Sequence, residues 1–312
     1  MSTQSQVSNI EIVSVDAYFG NQHLVCYDTV DASALAGKYI EFSSLTTDFY
    51  AWFDDGVAVD PAIVGKTAIA VPIVGTESAI AVAVLIETAI NAVASVNLVH
   101  SKALSNQAKI LIETKGQGEP LSAYTVGDST FTATILRAGS KLALGYLDSD
   151  VELTLDEQTF DIVTHQTGTQ VIGSLRTGTV VGPISLTLKE TVAAKLKELL
   201  ESSAAVEYTV APSEKVTGIG SLAGSKQFTN TFNDAKMLVL HPTKNAANNY
   251  AEDFAFFLAY PKLGGLTFSG ESDRKLTIEC QIFLDELRVN EVNQMVVGLN
   301  EGGSWQSNLL KA

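Results

Sequence analysis

Cysteine is nearly missing from this 312-residue chain: Cys26 and Cys280 stand far apart and form no CxxC pair. The four histidines, His23, His100, His165 and His241, are scattered. No disulfide framework and no recognisable metal-ligand spacing follows from such a set, and free buried thiols are the expectation. Positive charge is also scarce. Twenty lysines and arginines face 35 acids, a formal charge of −15, so there is no basic footprint to hold nucleic acid by its phosphates. An acidic surface repels DNA, which is useful where DNA must pass without sticking. The polar start, MSTQSQVSN, lacks the basic n-region of a signal peptide. The most apolar stretch, AIAVAVLIETAINAVA (79–94), is broken by Glu87 and Asn91. It falls short of the about 20 residues that span a bilayer and reads as a buried helix. These absences place folding in the cytoplasm. Tryptophan is limited to Trp52 and Trp305, which weakens any sugar-stacking role.

What is present is a core-forming composition, 46% hydrophobic and 18% charged, long enough for one large domain or two ordinary ones. Within residues 9–30 the runs IEIVSV and HLVCYDTV read as strands joined by a Gly20-Asn21 turn. GKYIEFSS (37–44), DFYAWFDDG (48–56) and KTAIAVPIV (66–74) are further strand-like runs. Thr76 is the expected N-cap of a helix reaching about Ser95, and AKILIETKGQGEP (108–120) returns as a strand. The texture changes near YTVGDST, giving an expected α+β domain over 1–128 and a mostly β domain over 129–312. In the latter, Val151, Leu153 and Leu155 alternate with Glu152, Thr154 and Asp156. VGPISLTLKETVAAKLKELLESS reads as a strand running into a helix over about 188–202, with a stripe of Leu188, Val192, Leu196 and Leu199. AVEYTVAP and KMLVLHP are strands, and TGIGSLAGSKQFTN (217–230) is a Gly/Ser-rich loop. The clearest strand is RKLTIECQIF (274–283). Arg274, Leu276, Ile278, Cys280 and Ile282 fall on one side; Lys275, Thr277, Glu279, Gln281 and Phe283 fall on the other. That pattern suits a sheet with core on one face and water on the other.

Chemistry-bearing motifs are thin. GIGSLAG (218–224) spaces its third glycine one residue too far for a dinucleotide loop and reads as a flexible loop. Asp48, Asp54 and Asp55 could offer carboxylates to calcium, but the spacing is not that of an EF-hand, and a solvated turn is the better reading. His241-Pro242 has no partnering nucleophile elbow and reads as a surface histidine at a turn. With 35 acids, a carboxylate pair for glycoside hydrolysis can always be proposed and carries no signal. No catalytic residue, metal ligand or cofactor is assigned. Gly302-Gly303 suggests a hinge before a terminal segment ordered by a partner.

From residue 129 onward the chain resembles a phage tail tube protein. The likeness rests on ATILRAGSKLALGYLDSDVELTLDEQTFDIV, on ISLTLKETVAAKLKELL, and above all on YPKLGGLTFSGESDRKLTIECQIFLDE. The first 128 residues resemble an accessory β-α domain of some tail and virion proteins, through GKYIEF, YAWFDDG and VDPAIVGKTAIAV. The resemblance implies a tail-tube-type β-sandwich or barrel domain with a flanking helix, plus a smaller N-terminal α+β domain on the outer surface. It implies a structural, non-enzymatic virion protein of a non-contractile tail. Six copies form a ring, rings stack into a tube, and tape-measure, terminator and baseplate proteins are its neighbours. Genomic DNA transits the bore without specific binding, and no membrane is involved. Glu152, Asp156 and Glu279, on the polar faces of the two alternating strands, are the candidate lumen-facing acids; an outer solvent-facing surface is the alternative place for them. Other readings are a decoration or baseplate subunit, or a carbohydrate-active β-sandwich enzyme or binding module.

Overall fold

The computed structural model describes residues 15–93, 99–147, 151, 155–163, 171–188, 193–200, 205–209, 215–220, 231–246, 253–267, 275–285 and 297–299. The fold is α+β, mostly β, with a large antiparallel sheet. The chain divides into two compact units: Met1–Ala143 with Lys236–Ala255 and Leu284–Ala312, and Leu144–Ala235 with Phe256–Phe283.

In the first unit the organising strand is β1 (Val15–Asp28). It is followed by β2 (Tyr39–Ser43), β3 (Asp48–Asp54), β4 (Thr67–Pro72), α1 (Ala79–Ala92), β5 (Val99–Ala103), β6 (Lys109–Gln117) and β7 (Thr132–Arg137). β1 is one continuous strand, so the expected Gly20-Asn21 turn is absent. Those residues instead mark a change of partners. Val15–Gly20 pair with the strand at Lys236–Pro242, while Gln22–Asp28 pair with β6 on one side and, from Leu24, with β7 on the other. The glycine is needed for close approach, since a Cβ on Gly20 would collide with the Ser140 carbonyl. The Asn21 amide donates to Ser140 Oγ at 3.1 Å, and its carbonyl accepts from the Gly118 amide at 3.1 Å. At the same seam the Gln117 side-chain amide donates to the carbonyls of Gly20 (3.1 Å) and Met237 (2.8 Å). It thus satisfies backbone groups where one ladder gives way to the next.

β2, β3 and β4 form a separate three-stranded sheet, with β3 and β4 parallel. The core of the unit gathers Ile40, Phe42, Phe49 and Phe53 of this sheet, Val82, Ile86 and Ile90 of α1, and Val25, Tyr27, Ile110 and Ile112 of the larger sheet. β3 is buried on both faces, and Trp52 is buried with it. The helix starts later than expected. Ser78, not Thr76, is the N-cap and accepts from the Ala81 amide, while Asp31 Oδ1 accepts from the Ala79 amide at 2.8 Å. The two polar residues that interrupt its apolar run fasten it to β5. Glu87 accepts from Lys102 Nζ and the Ala103 amide, and Asn91 donates to the Ser101 carbonyl.

In the second unit the chain forms β8 (Ser140–Tyr146, entered from the first unit), β9 (Leu155–Val163), β10 (Val171–Val181), β11 (Ile184–Leu188), α2 (Ala193–Leu200), β12 (Ala205–Thr209) and β13 (Lys215–Gly220). β14 (Lys236–Pro242) belongs to the first unit and is the strand that pairs with the start of β1. β15 (Phe254–Thr267), β16 (Lys275–Phe283) and the short β17 (Val297–Leu299), the last assigned to the first unit, complete the described strands. β9 and β10 form a two-stranded ribbon, β12 and β13 another, and β11-β16-β15 an antiparallel three-strand run. α2 packs on β12 and β13. Two expectations change here. Leu188 closes β11 instead of opening the helix, and Leu200 joins Leu199 in being buried. The segment expected as a loop from 217 begins as β13, with Gly218 and Gly220 paired to Glu207 and Ala205. A dinucleotide loop is therefore ruled out, because those glycines lie in a hairpin strand and not at a strand-to-helix turn. Both cysteines are free and buried.

Candidate functional site

β16 is built as its sequence demands. Leu276, Ile278 and Cys280 are at most 1% exposed, whereas Glu279 and Gln281 are exposed and Thr277 is half-buried. The register with both neighbours is antiparallel: Ser185 and Lys262 flank Glu279, and Thr187 and Gly265 flank Thr277. Opposed residues share a face, so the wet face carries Ser185, Thr187, Thr277, Glu279 and Lys262. Lys262 Nζ donates to Gln281 Oε1 at 2.8 Å. Burial pushes the Cys280 thiol up to about 12, with the adjacent Glu279 carboxylate adding to it. The polar character ends at Phe283, which packs with Leu258, Tyr260 and Ala235. The expectation that Phe283 belongs to the wet face is thereby corrected, because the strand's end is covered.

The three candidate acids are not brought together by the described residues. Glu279 lies on β16, exposed and opposite a lysine that sequence reading did not pair with it. Asp156 lies on β9, opposite Val180 of β10, in a different sheet. Glu152 lies outside the described residues, as do Arg274, Trp305 and the Gly302-Gly303 segment. Lys262 was legible only through register, since nothing in YPKLGG announces its partner.

Two polar side-chain pairs in the first unit, each with a buried aspartate, escaped the sequence. His241 is 4% exposed, not a surface residue. Its Nδ1 lies 2.7 Å from Oδ1 of Asp253, which is itself 1% exposed, and its Nε2 lies 3.4 Å from the Asn245 carbonyl. The ring meets Tyr18 edge-on, and Lys141 Nζ sits 4.1 Å from the Tyr18 ring centroid. Burial raises the Asp253 carboxyl to about 6, against the opposing pull of His241 and Lys141. Among the described residues the polar partners of His241 are Asp253 and the Asn245 carbonyl, not a serine or cysteine, so the arrangement is a clasp between the end of β14 and the start of β15 and not a nucleophile-activating pair. The second pair is Arg137 with Asp285. Nη1 and Nη2 reach Oδ2 and Oδ1 at 2.8 and 2.7 Å, a bidentate bond that ties the residue just past IFL to the end of β7.

The acidic turn after β3 is capped locally. Asp54 accepts from the Gly56 amide, and Asp55 accepts from Val57 and Ala58, which holds the Asp55 carboxyl below its ordinary range. Asp48 instead accepts from Ser43 and Ser122 hydroxyls. Among the described residues no group of three or more His, Cys, Asp and Glu side chains could hold a metal ion, and no helix is long and apolar enough to cross a membrane. No protein-family model matches the chain, and no curated protein matches it either.

Proposed function

We propose that the chain is a structural virion protein, a tail tube subunit whose copies form hexameric rings that stack into a hollow conduit for DNA. One observation carries the reading: β16 divides into a dry face of Leu276, Ile278 and Cys280 and a wet face centred on Glu279, within an antiparallel run of three strands. Strands of that kind suit the wall of a barrel whose core lies outside and whose bore is filled with water. Closing such a barrel between copies also removes exposed strand edges. The net charge of −15 fits a bore that must not retain phosphate. Lys262, beside Glu279, makes the wall mixed in sign at this point, so repulsion comes from the whole copy and not from one carboxylate row. Glu152, Asp156 and Glu279 are the acids proposed to face the lumen.

Electron microscopy of the purified full chain at rising concentration tests the reading. Rings or tubes of uniform bore are expected; a strict monomer by light scattering at every concentration, with the tail assembly proteins added, overturns it. In particles carrying Glu152→Lys with Glu279→Lys, tubes form and DNA release slows several-fold, whereas unchanged release removes these two acids from the lumen.

A further inference from the structure

The three-stranded sheet of the first unit is packed on one face and only partly covered on the other. On β4 and just past it, Ile69, Val71 and Ile73 join the core, where α1 packs against the strand. The alternate residues Ala68, Ala70, Pro72 and Val74 are exposed, and all four side chains are apolar. Over β3 the same outer face is covered. Tyr50 and Trp52, opposite Ala68 and Ala70, are buried, and the Tyr50 hydroxyl donates to Asp60 of the loop 55–66 at 2.6 Å. Parallel strands are ordinarily buried on both faces; here the outer cover stops at β4.

The loop adds apolar surface at one end of that face. Val57 is 85% and Val59 83% exposed, and Val74 is 81% exposed. The Ile73 amide donates to the Asp54 carbonyl at 2.8 Å, which brings Val74 to the end of β3 from which Val57 and Val59 follow. Single exposed apolar residues are ordinary, whereas a group of them rimmed by charge marks a contact surface.

The rim has one sign. Residues 54–80 contain Asp54, Asp55, Asp60 and Glu77 against Lys66 alone, and Lys66 is paired with Glu41 at 2.9 Å. The four carboxylates accept from backbone amides at Gly56, Val57, Ala58, Ala62 and Val74. Such caps satisfy oxygens without cancelling charge, and among the described residues none of the four has a cationic partner.

We propose that this face docks an amphipathic α-helix of a basic partner protein, its apolar stripe on Ala68, Ala70, Pro72 and Val74 and its lysines or arginines among the rim acids. A helix is the element that already covers the inner face of β4. The stripe from Ala68 to Val74 runs about 20 Å, the length of about 13 helical residues. Pro72 has no amide to offer an added strand. A second copy brings the same acids and a charge of −15, and an anionic lipid surface meets the same repulsion, so neither matches the rim. The proposal goes beyond the tube reading and stands without it.

The test uses the full-length chain and a synthetic helical peptide of about 14 residues, leucine on one face and lysine on the other. Fluorescence anisotropy should show binding that the triple variant Val57→Ser, Val59→Ser, Val74→Ser weakens by roughly tenfold or more, with an unchanged melting temperature. The variant keeps the charge, so general attraction between acid and base survives it. No binding of the peptide, or equal binding to both proteins, overturns the inference. The same peptide with glutamate in place of lysine should bind at least about tenfold more weakly; equal binding overturns it too. If the triple variant misfolds by circular dichroism, Ala70→Arg decides, since it places bulk and like charge beneath the peptide, and unimpaired binding there is the contrary result. Phosphatidylserine vesicles that bind wild type but not the triple variant would assign the face to a membrane. Self-association of wild type that the triple variant abolishes would assign it to a second copy. Either outcome overturns the proposal.

Discussion

Asp253 is a carboxyl that folding makes reluctant to ionise. Its pKa rises from 3.8 to about 6 because burial penalises the charge more than His241 and Lys141 reward it. The sign follows by linkage. Between pH about 4 and 6 the folded chain keeps a proton on Asp253 that the unfolded chain has released, so this group's contribution is favourable below that window and is lost as pH rises through it. Asp253→Asn keeps an oxygen to accept from His241 and carries no charge. Denaturant unfolding should find the variant more stable than wild type above pH 6, by roughly 1–3 kcal/mol, with the difference vanishing towards pH 4. A variant that loses stability above pH 6 would mean that the ionised pair holds the clasp. Neither His241 nor Asp253 advertises this in sequence. They stand twelve residues apart across TKNAANNYAE, and only the meeting of β14 with β15 makes them neighbours. Arg137 and Asp285 are hidden for the same reason, at a separation of 148 residues.

At the scale of elements, legibility followed periodicity. β16 could be drawn from its alternation alone, because one face is buried and the other wet. β1 could not. Both of its faces are buried over much of its length, so it shows no alternation, and Gly20-Asn21 looks like a turn. The glycine answers a tertiary demand, the passage of the Ser140 backbone. Gly20→Ala should therefore destabilise the chain by about 1–3 kcal/mol in thermal unfolding, as overpacking does; a neutral outcome would mean that β8 can step aside. α1 starts two residues later than its sequence suggests for a related reason. Part of its cap comes from Asp31, 48 residues upstream, which no local capping pattern contains. The wet face of β16 was legible as polar, but the Lys262 beside Glu279 needed the register of a second strand.

For the whole molecule the governing quantity is charge. Each copy carries −15, and packing copies side by side brings like charges together. Salt shortens the range of that repulsion, from about 10 Å at 0.1 M to about 3 Å at 1 M. On the proposed ring-and-tube assembly, the concentration at which copies associate should thus fall as sodium chloride rises over that interval, measured by light scattering. A threshold that climbs with salt would show that specific ion pairs between copies outweigh the net repulsion. The acidic excess itself is plain from composition; which surface would carry copy-to-copy contacts is not.

The partner exchange along β1 bears on how the chain is made. Residues 22–28 can find β6 soon after residue 117 leaves the ribosome, but Val15–Gly20 must wait for Lys236–Pro242. Half of a largely apolar ribbon thus stays without its mate while more than a hundred further residues are synthesised. Pairings of such long sequence separation are slow to close and vulnerable while open. A nascent chain of this design has reason to lean on a holdase until its last third has emerged.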